Sequence, residues 1–273
     1  MRNRILSGIC AAAVAIMAAS CNHRTNFDYE TVSYCDSLEY AGHEAYCEIN
    51  IGFPSGGSGQ FTESVRYWIA ERAAYSLVNI EDEGLADSFI ALEKDSEIVG
   101  EIGRTMLDSA ESDFKDFEKA GFEHPVNYEY SLSILPVHFT DKYVTYSSTS
   151  YTYLGGAHGG TISINSVFRF SDGKLFGWDM FRDDAGEELA SIVKEGIMEK
   201  YFGVETEDEF AGCLLVNPAE FPLPDADPFF MADGVHFIYQ QYEIAPYAAG
   251  MPECTIPYDV LSDLLTPEAK DLL

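Results

Sequence analysis

His158 stands inside the run Gly155-Gly156-Ala157-His158-Gly159-Gly160. An imidazole titrates near neutral pH, so it could serve as a base or a metal ligand. Glycines on both sides permit unusual dihedrals and close approach of another molecule to the backbone. A base needs an orienting carboxylate, and Glu243 or Asp179 could provide one. The other role for the ring is structural, with the imidazole hydrogen-bonded to backbone and fixing the turn. No CxxC or HxxxH spacing is present, so no metal site is read. The loop lacks the Lys-Ser/Thr ending and following helix of a phosphate cradle. No GxSxG elbow, HExxH or catalytic Cys-His signature occurs. Spacing alone selects no glycosidase pair among 46 acids. The sequence therefore assigns no catalytic residue and no cofactor.

The second unusual segment is Tyr242–Gly250, YEIAPYAAG. Tyr242, Glu243, Pro246 and Tyr247 could form an exposed recognition edge. Equally, Ile244, Ala245, Ala248 and Ala249 could pack beneath a strand crossing, with Pro246 stiffening the bend. Glu243 is then a half-buried acid that needs a partner, and His158 is one candidate. The candidate ligand-binding set is thus Gly155, Gly156, His158, Gly159, Tyr242, Glu243 and Tyr247.

Arg2 and Arg4 precede an apolar run over Ile5–Ala19 that ends in Ala18-Ala19-Ser20-Cys21. A basic start, an apolar core and small residues make a secretory signal. Small residues before a cysteine look like a lipobox, which predicts a lipoprotein signal peptide over 1–20, lipidation of Cys21 and a tether over 21–27. An ordinary signal peptide with Cys21 as bystander is the alternative. Two or more acyl chains anchor stably. Asn22–Asn26 is polar and carries no acidic export signal, so the expected site is the cell envelope, on the periplasm-facing side of the outer membrane rather than the cell surface.

The formal charge is −30, and loss of Arg2 and Arg4 with the leader lowers it by two to −32. From Tyr201 onward Lys270 is the sole lysine or arginine. Nucleic acid and anionic lipid are poor partners for such a chain, and cationic proteins are good ones. High net charge also simply keeps a secreted protein soluble. Cys35, Cys47, Cys213 and Cys254 remain after the leader and the anchor. Four cysteines in an oxidising compartment allow two disulfides in three connectivities. Cys35 with Cys47 across a hairpin is the first pairing, and Cys213 with Cys254 follows.

Periodicity supplies the elements that hold these residues. Tyr29–Tyr40 and Ala45–Phe53 read as strands. Residues 61–79 place Phe61, Val65, Trp68, Ile69, Ala73, Leu77 and Ile80 at helical spacing, with Thr62 near the start as a capping residue. A second helix covers 97–119. After Gly121 the period becomes two: Tyr128, Tyr130, Leu132 and Ile134 share a face. Tyr143–Tyr153 and Thr161–Phe170 flank the glycine turn. A helix follows over 185–201, then an acidic, proline-rich surface excursion over 205–227. Another hairpin comes next, then a last strand at 255–258 and a helical turn at 260–265. The fold class is α+β, with an N-terminal lobe over 28–124 and a C-terminal domain over 125–273.

Tyr153-Leu-Gly-Gly-Ala-His-Gly159, Phe168–Lys174 and Trp178-Asp-Met-Phe181, followed by Tyr242–Gly250 and Thr255-Ile-Pro-Tyr258, resemble the RsiV-type extracellular domain. This domain of unknown function binds lysozyme in that family and accompanies the peptidoglycan deacetylase PdaC outside its catalytic part. The resemblance covers about Tyr128–Leu265. It implies a twisted antiparallel sheet with helices packed on one side, and a binding role in place of catalysis. The partner it implies is a cationic, lysozyme-like protein or peptidoglycan. An envelope hydrolase using His158 and a nearby carboxylate is the competing function.

Overall fold

The computed structural model describes residues 27–77, 84–122 and 124–273. The predicted leader, Cys21, the tether up to Asn26, and residues 78–80 of the first helical pattern lie outside the described residues. Two compact units divide the chain. One comprises residues up to Leu135 together with Ser148–Thr161, the other Pro136–Ser147 and Ile162–Leu273. The division therefore cuts through strands, and the glycine turn belongs to the first unit.

Alternation of apolar and polar residues produces one-faced strands. In β1 (Tyr29–Tyr40) and β2 (His43–Pro54) the buried set is Val32, Tyr34, Leu38, Ala45, Cys47, Ile49 and Ile51. The two strands join through Ala41 and Gly42, both at positive φ (52° and 85°), the geometry of a tight hairpin turn. The helix α1 (Gly59–Tyr75) starts two residues earlier than its apolar pattern suggests. Ser58, not Thr62, caps it by accepting a hydrogen bond from the Phe61 N–H at 3.2 Å. A short α2 (Leu85–Ile90) follows, then α3 (Asp95–Lys119).

The apolar stripe of α3, Ile98, Ile102, Met106, Ala110 and Phe114, is buried, and α3 packs on β1 and β2. Each of the isoleucine, methionine and phenylalanine side chains taken fully out of water stabilises by about 1.5–3 kcal/mol. Phe114 stacks on the buried His43 ring at 5.1 Å. Gly103 lets the helix backbone sit directly on Tyr34, because a Cβ there would stand 2.1 Å from the Tyr34 ring.

β3 (Asn127–Phe139), β4 (Tyr143–Tyr153), β5 (Gly160–Arg169) and β6 (Leu175–Phe176) complete a six-stranded sheet in the order β1-β2-β3-β4-β5-β6. The α+β class holds, but the expected antiparallel sheet does not hold throughout. β2 and β3 run parallel, from Glu44 opposite Asn127 to Ile51 opposite Ile134. The physical reason is the connection: α1 to α3 form a helical crossover between them, which a parallel pair requires.

In the second unit α4 (Gly186–Gly196) continues into a π-helical turn over Ile197–Phe202. β7 (Phe229–Met231), β8 (Gly234–Ile238) and β9 (Glu253–Ile256) form an antiparallel three-stranded sheet. Leu189, Val193, Phe230, Phe237 and Ile244 belong to one core. The acidic segment read as a surface excursion holds α5 (Glu207–Cys213), whose Phe210 is fully buried in that core. Near the chain's end, Arg169 and Lys174 both hold Glu268, at 2.6 and 2.7 Å.

The four cysteines are thiols, and the proposed bridges are absent. Cys35 faces Glu48 in the hairpin register while Cys47 faces Asp36, so their side chains leave opposite faces of the sheet. Cys213 Sγ lies against the Glu209 carbonyl at 3.5 Å, and Cys254 Sγ is buried against the Val193 carbonyl at 3.9 Å. Burial pushes the Cys47 and Cys254 thiols up to about 12.

Thiol counting with a chromogenic disulfide at pH 8 should find Cys35 fast, Cys213 slower, and Cys47 and Cys254 silent until denaturant is added. A disulfide-bonded chain would leave at least two of them silent even when unfolded. Helix propensity predicts that Gly103→Ala stabilises by about 1 kcal/mol. The clash with Tyr34 reverses the sign, and a urea midpoint should report a loss of about 1–3 kcal/mol.

Candidate functional site

The parallel register decides what the face of this sheet opposite α3 displays. With the apolar residues turned toward α3, the alternate positions Ser33, Cys35, Ser37 and Glu39 of β1 point the other way. So do Glu44, Tyr46, Glu48 and Asn50 of β2 and Asn127, Glu129, Ser131 and Ser133 of β3. A groove of about 610 Å³ lies on this face, lined among others by Glu39, Glu44, Tyr46, Asn127, Glu129 and Tyr153. Among the described residues no lysine or arginine lines it.

Glu39 and Glu44 are direct cross-strand partners, an arrangement that like charges make unfavourable. Tyr46 and Glu129 are paired in the same way, so an aromatic ring and a carboxylate stand side by side. A hydrogen-bonded row continues from the groove: Cys35 Sγ donates to Tyr46 Oη at 3.3 Å, and Tyr46 Oη to Glu48 at 3.2 Å. Asn50 donates to Glu48 at 3.3 Å, and Ser33 to Asn50 at 2.6 Å. This row fixes the Tyr46 ring while the three groove carboxylates stay exposed. An ammonium or guanidinium group meets here both negative charge and aromatic faces.

The glycine turn adjoins the groove through Tyr153 and Val126. Tyr153 Oη donates to the Gly156 carbonyl at 3.1 Å. Gly155 and Gly156 take positive φ (82° and 95°), and a Cβ on Gly155 would come within 3.2 Å of Val126. Val126 is itself held from two sides: its N–H donates to His43 Nδ1 at 3.1 Å and its carbonyl accepts from Glu44 N at 3.1 Å. Gly159 leaves room for the Tyr151 ring, which a Cβ would meet at 2.5 Å. His158 Nδ1 lies 3.0 Å from the Gly159 carbonyl, a contact with the turn's own backbone.

The second predicted segment lies in the other unit. Ile244 and Ala245 are fully buried, whereas Tyr242 and Pro246 are exposed, so the segment both packs and presents an edge. Tyr242 takes a left-handed φ of 68° and its ring lies 5.8 Å from that of Tyr247. Glu243 accepts the backbone N–H groups of Gln240 at 2.6 Å and Asp225 at 2.7 Å. Those bonds supply the partners for which the imidazole was one candidate. Burial still holds its carboxyl above the usual range, partly offset by the two N–H groups. Asp179, the other carboxylate considered for His158, accepts the Gly177 N–H at 2.9 Å and faces Lys174 at 3.4 Å. Gln240 acts as a surrogate strand, accepting from Ser163 N at 3.0 Å and donating to Ser163 O at 2.8 Å.

Sequence reading found the glycine turn and missed the groove. Glu39, Glu44, Tyr46 and Glu129 read as ordinary solvent-facing positions until the pairing of β2 with β3 is known. Among the described residues no group of three or more His, Cys, Asp or Glu side chains is placed to hold a metal ion. No helix there is long and apolar enough to cross a membrane.

Gly155→Ala should lower stability by about 1–2 kcal/mol, because an L-residue resists the left-handed region. Gly160→Ala, at a position without that φ and with open space around it, should cost little in the same urea titration.

The family described as "Protein of unknown function (DUF3298)" matches at residues 178–259. A solved DUF3298 protein from Bacteroides fragilis is 18% identical with a TM-score of 0.73, covering 90% of this chain and 97% of that one. A DUF3298 protein from Pseudomonas aeruginosa is 13% identical with a TM-score of 0.57, covering 90% and 98%. No curated protein matches the chain in sequence. Residues 178–259 therefore match the DUF3298 domain, and the chain shares its fold with solved proteins of that family.

Proposed function

We propose that this chain is a non-catalytic binding protein of the cell envelope, lipid-anchored at Cys21 on the periplasm-facing side of the outer membrane. Its groove takes the basic surface of a partner protein. The observation that carries the reading is the groove itself: Glu39, Glu44 and Glu129 with Tyr46 and Tyr153, and no basic residue in the lining among the described residues. A partner's lysine or arginine would relieve the repulsion between Glu39 and Glu44 and gain cation–π contact with the tyrosines. The resemblance to the lysozyme-binding RsiV-type domain makes a cationic, lysozyme-like enzyme the leading partner. The net charge of −30 would steer such an enzyme in, over a screening length of about 8 Å at physiological salt.

Titration calorimetry of a soluble form beginning at Asn22 with a basic lysozyme, at low and physiological salt, tests this. One-to-one binding should persist at physiological salt, and a Glu44→Gln/Glu129→Gln variant should bind about tenfold more weakly. Binding that vanishes as salt is raised would reduce the acidity to a solubility device and move the search to peptidoglycan fragments. Turnover of peptidoglycan that His158→Ala abolishes would replace the reading with that of an envelope hydrolase.

A further inference from the structure

His43, at the start of β2, is 2% exposed. Phe114 stacks on its ring with centroids 5.1 Å apart, and Phe117 meets it edge-on at 5.7 Å. The polar contact of the ring is the Val126 N–H, which donates to Nδ1 at 3.1 Å. An imidazole nitrogen accepts a hydrogen bond only when it carries no proton, so this contact exists only with a neutral ring. Protonation would aim a second donor at the Val126 N–H and leave a charge among phenylalanines, where an unpaired ion is costly.

Among the described residues, the titratable groups on the elements around this ring are directed elsewhere. Tyr40 of β1, opposite His43 in the hairpin register, donates to Glu118 of α3 at 2.8 Å. Lys115 of α3 lies over the Tyr40 ring at 6.0 Å and pairs with Glu111. Tyr128 of β3 donates to Asp113 of α3 at 3.2 Å, and burial beside that carboxylate pushes its hydroxyl up to about 12. His124, in the turn after α3, is exposed and packs on Phe122. Glu44, next along β2, lines the groove.

Val126 connects the ring to that groove. Its carbonyl accepts the Glu44 N–H at 3.1 Å, and Glu44 with Asn127 forms the first pair of the parallel seam. Both of those residues line the groove. On its other side Val126 meets the glycine turn, where a Cβ on Gly155 would come within 3.2 Å of it. Loss of the His43 contact therefore frees Val126 at its N–H, and with it the end of the seam that holds Glu44 in place.

We infer that His43 is an acid-sensitive latch on the groove: the neutral ring fixes Val126 and the Glu44–Asn127 end of the seam, and a proton on the ring opens that end and releases a basic partner. Release of a partner rests on the binding function proposed above, whereas the latch does not. A free imidazole takes up its proton at about pH 6.5. Because the latched ring is neutral, acid favours the open form, by up to about thirtyfold between pH 7.5 and pH 5.

Amide exchange of the soluble form beginning at Asn22, which keeps every described residue, tests the latch with no partner present. Read residue by residue by NMR and corrected for the intrinsic effect of pH, protection of Val126 and Glu44 should fall about tenfold or more from pH 7.5 to pH 5, with Ile102 in α3 unchanged. His43→Asn puts a carbonyl oxygen where Nδ1 accepts, so the fall should disappear in that variant and persist in His124→Asn. Protection that is independent of pH in the native chain, or that falls equally in His43→Asn, would overturn the latch. Calorimetry with a basic lysozyme then separates the two readings. A loss of affinity at pH 5 that His43→Asn reduces ties the latch to release, and equal affinity at both pH values overturns its control of the groove. No binding at either pH overturns the binding function and leaves the latch decided by the amides.

Discussion

The first unit depends on the parallel pairing of β2 with β3. Eight residue pairs, from Glu44 with Asn127 to Ile51 with Ile134, fix it. A slip by one residue would turn Tyr128, Tyr130, Leu132 and Ile134 away from the helices and bury Glu129 in their place. Burying an unpaired carboxylate costs far more than any hydrogen bond returns, so the apolar face under α3 leaves a single acceptable register. The helical crossover makes the parallel direction possible, and Gly103 over Tyr34 lets α3 approach closely enough to cover the sheet. One consequence is structural and the other chemical, because the same register that closes the core assembles the acidic groove on the opposite face.

Local elements were legible in the sequence because they depend on nearest neighbours. β1 was read with the bounds it has, and α3 within two residues of its start. Ser58 took the cap from Thr62 because helix entry is decided by the residue whose side chain reaches a free N–H, which periodicity does not reveal. α5 was missed since its composition is acidic and a single residue, Phe210, anchors it. The parallel seam was illegible for a different reason. Alternation fixes which residues share a face, and it contains no information on which strand lies alongside or in which direction. The groove inherits that limit, since Glu129 meets Tyr46 only through the seam.

The glycine turn is a motif whose place in the chain is legible from composition, whereas its neighbours are not. Gly155 and Gly156 carry positive φ and Gly159 gives space to Tyr151, so the glycines serve backbone geometry. His158 contacts the carbonyl of the next residue. Val126 then links this turn to His43 and to Glu44 in the groove, a relation spanning residues 43 to 159 that spacing could not display. In the second unit, Glu243 reached its partners through backbone N–H groups, which no sequence pattern advertises.

β1 lies at one end of the strand order and is twelve residues long. A long terminal strand offers a row of amide and carbonyl groups to any extended chain that drifts past, the usual route to edge-to-edge aggregation. Here Glu30, Asp36 and Glu39 lie along it. Two copies approaching through this edge bring like charges together before any ladder forms. That repulsion opposes edge-to-edge pairing of neighbouring copies.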